Sequence, residues 1–303
     1  GFDQFYPSLA FRRPIYYVAS EDIFSMGFLS KVIIWLQNPI PIKKQVTDIR
    51  AVMNCLKVAK EGGSIAMFPE GNRTFSGVTG AINPAVGGLA RKLGLPIAFL
   101  KIEGGYGIQP RWSDVRRKGK MKAYISHVLE PEEYKGWTND QMYQYICKAL
   151  YQNEANSDAS FYHKKSAEYL ERVLYVCPHC GITHFESNGD TVKCTSCGRS
   201  AKYLPTKEFS GDFPFRYMLD WYTYQEDYIN HMDTLTLTEQ PIIRDACNLY
   251  EVSLYSKKKF LAENVELALY GDRIELSGGF KEVFRFHEVE NITILGKNKL
   301  DIY

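Results

Sequence analysis

The sequence predicts an α/β domain, followed by a four-cysteine ribbon and a small antiparallel β module. Three observations carry that expectation. Short apolar runs alternate with amphipathic helical patterns across residues 1–150, as strand–helix units do. Two Cys-x2-Cys pairs then lie between residues 177 and 197. Beyond about residue 248 the apolar residues recur at every second position, the period of a half-buried strand.

The elements follow in order. Residues 14–18, PIYYV, read as a strand. Ser20 offers an N-cap for a helix over 21–36, with Glu21 and Asp22 in its first turn, where carboxylates suit the helix dipole. Residues 38–44, NPIPIKK, form an extended segment ending in two cations. Thr47-Asp48 caps the next helix, whose Ile49, Val52, Met53 and Leu56 follow the i, i+3, i+4, i+7 pattern. Residues 64–68 read as a buried strand, 84–93 as a helix, and 95–102 and 121–128 as strands. Thr138 and Gln141 make a capping box for a helix to about residue 152. A polar stretch, 153–160, loosens the chain before a further helix at about 161–174. The aromatic-rich segment 209–240 reads as a packed helical connector. Tyr270-Gly271-Asp272 and Ser277-Gly278-Gly279 supply hairpin turns for the β module. The pattern of that module resembles the sheet of PH or GRAM domains, which implies lipid binding or a packing or dimer role. The expected divisions are 1–152, then 153–205 as helix plus ribbon, then 206–303 as connector and β module.

Bulk properties narrow the function. The chain has 303 residues, 24% of them charged, and a net charge of +2, so no global field draws it to nucleic acid. The longest apolar run, 23–36, contains Lys31 and falls short of the ~20 residues that a spanning helix needs. No transmembrane helix and no secretory signal are expected. The chain opens on Gly1 and closes on a strand-like KLDIY, so both ends read as cut.

Seven cysteines are present, and four of them, Cys177, Cys180, Cys194 and Cys197, have the spacing C-x2-C-x13-C-x2-C. That pattern fits a reducing compartment and a metal. Each pair sets two thiolates on one tight turn, and the glycines that follow, Gly181 and Gly198, let the backbone curl. Four thiolates make a closed tetrahedral site, which is structural Zn chemistry, with iron in a rubredoxin-like site as the alternative. His179 and His184 read as surface residues. Few cations flank the ribbon, which argues against a nucleic-acid reader.

The stretch AMFPEGNRTFSG, residues 66–77, puts Glu70 and Arg73 just past the end of a strand, the usual place for a site in α/β folds. Arg73 can clamp a phosphate with paired hydrogen bonds. Gly71 lets a ligand approach the backbone. Glu70 can accept from a hydroxyl or hold the arginine, and a purely structural Glu70–Arg73 pair is the alternative.

FPEGNRTFSG resembles the FPEG-T-R-S motif of glycerolipid acyltransferases, the 1-acyl-glycerol-3-phosphate acyltransferase family. Asn72 stands where that family usually has Thr or Ser. The resemblance covers about residues 1–150. Pro39-Ile40-Pro41-Ile42-Lys43-Lys44 lies where the second family motif is expected, and Gly94-Leu95-Pro96-Ile97 looks like the fourth. Asp3 matches the Asp of the H-x4-D motif, with Arg13-Pro14 following; the His would stand upstream of Gly1.

The resemblance implies an acyltransferase α/β domain. The base oriented by Asp3 takes the proton of the acceptor hydroxyl, whose oxygen attacks an acyl thioester. Arg73, with Lys43 or Lys44, binds the acceptor phosphate, and Gly71 and Asn72 belong to the same binding loop. Glu70 positions the acceptor. The acceptor is lysophosphatidic acid, the donor acyl-CoA or acyl carrier protein, and the setting phospholipid synthesis, peripheral on the cytoplasmic face of a membrane. The alternatives are glycerol-3-phosphate or another lysolipid as acceptor, and a non-catalytic lipid- or protein-binding module on the same frame. The 21–36 helix either docks on the bilayer or packs inside. The run 111–122, with six cations and Trp112, suits anionic headgroups or is a solvated loop.

Overall fold

The computed structural model describes residues 11, 14–24, 28–42, 48–252 and 258–303. Asp3, Lys43, Lys44 and Arg13 lie outside the described residues, as does 25–27 within the expected first helix.

Three strands, β1 (Ile15–Ser20), β2 (Ile40–Ile42) and β3 (Ser64–Ala66), pair in parallel in the order β2-β1-β3. Val18 faces Ile40 across one ladder and Tyr17 faces Ala66 across the other. Parallel neighbours need crossovers, and helices supply them. α1 (Glu21–Phe24) and α2 (Phe28–Gln37) join β1 to β2, and α3 (Ile49–Lys60) joins β2 to β3. Asp48 caps α3 as expected, its carboxylate accepting from Ala51 N at 3.1 Å.

The buried face of α3 differs from the expected one. Ala51 and Cys55 turn inward, whereas Ile49 and Met53 are 72% and 60% exposed. Both stripes have the same period, so spacing alone does not choose between them; the smaller side chains allow the closer approach to the sheet. β3 is likewise shorter than expected and half-buried, with Phe68 exposed beyond it.

α4 (Ala85–Leu93) leads into β4 (Ile97–Glu103). β4 pairs antiparallel with β5 (Lys122–Leu129), outside the parallel sheet. Between them lies the short helix α5 (Gly105–Ile108). α6 (Asn139–Leu150) starts at the Thr138–Gln141 capping box, with both reciprocal bonds formed at 3.1 and 2.8 Å. Phe99, Leu129, Tyr134, Met142 and Ile146 make the core here.

The expected loosening after α6 is absent at its first residues. Glu154 accepts from Gly104 N and Tyr106 N, and Ala155 is buried. No helix spans 161–174; a single 3-10 turn covers Leu170–Arg172. Its backbone bonds go to distant partners instead. Phe161 N reaches Pro205 O, Tyr162 N reaches Lys118 O, and Ala167 N reaches Gly189 O.

The cysteine region is built from small antiparallel sheets. β6 (Val176–Cys177) pairs with β7 (Gly181–Ile182). β8 (Phe185–Asn188), β9 (Thr191–Cys194), β10 (Ser200–Tyr203) and β11 (Phe209–Gly211) form a second sheet in the order β11-β10-β9-β8. The helical part of the aromatic-rich stretch is α7 (Met218–Asn230). It lays Met218 and Trp221 into one core with Phe185, Val192, Tyr203, Phe209 and Phe213, and with Trp112 from the loop before β5. Aromatic side chains dominate that core, where each buries a large apolar area.

The β module begins earlier than its alternation shows. β12 (Ile243–Glu251), β13 (Lys259–Leu269), β14 (Arg273–Ser277) and β15 (Glu282–Arg285) form an antiparallel sheet over Val265, Ile274 and Leu276. β16 (Ile292–Leu295) and β17 (Lys299–Ile302) make a separate hairpin. No helix among the described residues is long and apolar enough to cross a membrane.

Candidate active site and metal centre

The loop after β3 begins with a tight turn. Gly71 N donates to Phe68 O at 3.0 Å, which puts Pro69 and Glu70 at the two central positions. Proline fixes the first of those at the φ the turn needs. Gly71 runs at φ +71, and a Cβ there would have nothing within 4 Å. Its backbone is therefore open to a ligand, and glycine is required by the positive φ rather than by crowding.

Glu70 and Arg73 form no ion pair with each other among the described residues. Glu70 Oε2 accepts from Gly80 N at 3.1 Å. Arg73 Nη1 donates to Gln109 O at 3.1 Å. Main-chain groups hold both side chains, and neither neutralises the other. Burial pushes the Glu70 carboxyl above its ordinary pKa, and the Gly80 N–H offsets part of that. Arg73 is exposed, so the rest of its guanidinium is open to an anion. Thr74 Oγ1 accepts from Ser76 N and Gly77 N, which fixes the far end of the loop.

A second arginine supports the loop from beneath. Arg111 is buried, donates from Nη1 to Arg73 O at 3.2 Å, and lies 4.1 Å over the Phe75 ring. The sequence puts it in a cationic run that suits anionic headgroups or a solvated loop. That run splits in the structure. Arg116, Lys118, Lys120 and Lys122 are exposed, but Arg111 and Arg117 are buried. Arg117 donates to Ser166 O at 2.5 Å and sits 4.9 Å from the Trp112 ring. Trp112, between the two arginines in the chain, is fully buried, and each arginine lies over a ring, Arg111 over Phe75 and Arg117 over Trp112.

The four cysteines converge. The Sγ atoms of Cys177, Cys180, Cys194 and Cys197 all lie within 4.8 Å of one another. Cys177 and Cys197 are 3.8 Å apart, Cys180 and Cys194 4.0 Å. A tetrahedral ion with metal–sulfur bonds of about 2.3 Å sets its sulfurs about 3.8 Å apart. The cluster can therefore hold a metal ion. Gly181 and Gly198 both run at φ +74 directly after their cysteines, as the knuckle turns require. His179 and His184 are exposed and stand outside the four-sulfur cluster. His179 contacts Arg199 instead.

No curated protein and no solved structure matches the chain. Residues 1–102, which include the Glu70–Arg73 loop and the parallel strands, match the family model of acyltransferases. The N-terminal third of the chain is thus similar to acyltransferase domains.

Proposed function

We propose that the protein transfers a fatty acyl group from a thioester, acyl-CoA or acyl carrier protein, to the free hydroxyl of lysophosphatidic acid. The hydroxyl proton leaves to a general base oriented by Asp3, the oxygen attacks the thioester carbonyl, and the thiol departs with a proton. The product is an ester, and no acyl-enzyme forms. Arg73, with Lys43 or Lys44, binds the acceptor phosphate as a charge-assisted clamp. Gly71 lets that phosphate approach the backbone, and Glu70 accepts from the acceptor to position it. Arg73 offers an anion the unused part of its guanidinium because Glu70 is spent on Gly80 N rather than on Arg73. That observation, on a loop inside the acyltransferase match, carries the reading.

The acceptor is a membrane lipid, so the protein works as a peripheral enzyme on the cytoplasmic face. α2 supports this: Phe28, Trp35 and Leu36 are 82%, 83% and 65% exposed. An amphipathic helix with Trp on its apolar side suits the headgroup boundary. The four cysteines hold a structural Zn ion, which stabilises the ribbon and takes no part in transfer.

The test is product formation by the protein with lysophosphatidic acid and each donor, beside Glu70→Ala. Phosphatidic acid from the parent and none from the variant is the expected result. Product from glycerol-3-phosphate alone moves the acceptor assignment. No product from any acceptor, in protein that binds liposomes, favours a lipid-binding module.

A further inference from the structure

Position 72 departs from the Thr or Ser that its motif resembles, and its side chain has a specific partner far along the chain. Asn72 Nδ2 donates to the main-chain carbonyl of Ile294 at 3.2 Å, across a separation of 222 residues. Ile294 lies in β16 of the β16–β17 hairpin, one residue before the strand's end. Arg111 grips the same turn twice, from Nη2 to Ile294 O and from Nε to Gly296 O, both at 2.6 Å. Its remaining Nη1 holds Arg73 O. Lys297 in that turn pairs with Asp114, which also pairs with Arg172 at 2.8 Å. Thr293 and Leu295 are buried to 1% and 5% exposure, so one face of the hairpin is packed down.

These contacts bring the end of the C-terminal module to within one residue of Arg73. A threonine hydroxyl at position 72 ends one bond nearer the backbone than the asparagine nitrogen, and it leaves Ile294 O unreached. The departure from the family pattern and the presence of the hairpin therefore explain each other.

We propose that Asn72 and Arg111 are positioning residues that latch the β16–β17 hairpin onto the Arg73 loop. The latched hairpin forms one wall of the acceptor site and admits a terminal phosphate while rejecting a phosphate that carries a further headgroup. This rests on Arg73 as the phosphate ligand.

The test uses the full protein with Asn72→Thr, Arg111→Met and Arg111→Lys. Arg244→Ala, which removes an exposed ion pair with Glu266 on the other sheet of the same module, is the control. Three quantities are read: hydrogen exchange of amides 292–297, equilibrium binding of lysophosphatidic acid against lysophosphatidylcholine, and KM for acceptor and donor. Arg111→Met, which removes three bonds from a cation, should speed exchange and weaken lysophosphatidic acid binding about tenfold or more, and Asn72→Thr, which removes one exposed neutral bond, should do both to a smaller extent, about threefold. Discrimination against lysophosphatidylcholine should narrow, donor KM should hold, and Arg111→Lys should recover part of each effect. The Arg244 control should match the parent.

Unchanged exchange overturns the latch. Faster exchange with unchanged lysolipid discrimination overturns the wall and leaves Arg111 as a structural residue. A parent that binds lysophosphatidic acid without transferring an acyl group removes the acyltransfer reading, and binding alone then decides the wall. A parent that binds neither lysolipid overturns the wall outright.

Discussion

Arg111 donates from Nη1 to the main-chain carbonyl of Arg73 at 3.2 Å, so one arginine holds the backbone of the other. The Arg73 side chain reaches back to Gln109 O at 3.1 Å. Burial, reinforced by Arg73, pulls the Arg111 pKa below its ordinary value. Two cations thus share one loop, and neither they nor Glu70 form a carboxylate–arginine pair there among the described residues. Such an arrangement favours a bound anion.

Arg73→Ala should raise acceptor KM about 30-fold, from loss of about 2 kcal/mol of charge-assisted bonding, with donor KM unchanged. Arg73→Lys should recover only part, because an ammonium cannot form the paired fork. Steady-state kinetics against each substrate check this; unaltered acceptor KM contradicts the phosphate assignment.

Glu70 predicts a stability profile of definite sign. Burial raises its folded-state pKa, so between the ordinary and raised values the folded protein binds more protons than the unfolded chain. Stability then falls as pH rises through that window. The penalty is absent below the ordinary glutamate range and complete above the raised value. Glu70→Gln should raise Tm at neutral pH, with the gain vanishing as pH falls below the ordinary range, while activity is lost. Calorimetry across pH checks it, and a gain independent of pH contradicts it.

The cysteine cluster shares its core with Trp221: Cys177, Cys194, Phe185 and Trp221 pack together. Removing the metal should therefore disturb more than the two knuckles. Chelation, or Cys197→Ser, should lower Tm and shift tryptophan fluorescence, and added Zn should reverse the chelator effect. A metal content of zero in protein purified without chelator contradicts the zinc reading.

Trp221 is fully buried, donates from Nε1 to Val176 O at 2.9 Å, and contacts the rings of Phe185, Phe209, Phe213 and Phe215. Trp221→Ala should cost about 3–5 kcal/mol and loosen the metal site beside it. Chemical denaturation and zinc retention measure both. A loss below about 1 kcal/mol contradicts a shared core, since only exposed positions are that tolerant.

Local rules were legible where short-range chemistry decides the structure. Asp48 and Thr138 cap their helices, and the Tyr270–Asp272 and Ser277–Gly279 turns join β13 to β14 and β14 to β15, because each depends on a few adjacent residues. The cysteine spacing carried the convergence of its four sulfurs for the same reason. Residues 161–174 were illegible because Phe161, Tyr162 and Ala167 bond to chain up to 44 residues away, a competition that periodicity does not register. Ile49 and Met53 misled because two stripes of equal period compete on α3. Arg111 and the Asn72–Ile294 contact depend on a hairpin far along the chain, and no local pattern points to it.

The most direct measurement follows free thiol and new ester together in a single turnover of acyl-CoA or acyl carrier protein with lysophosphatidic acid. The account predicts one thiol released for each phosphatidic acid formed, with both lost in Arg73→Ala at low acceptor concentration and restored at high. Thiol release without phosphatidic acid, or transfer indifferent to Arg73 at every acceptor concentration, would contradict it.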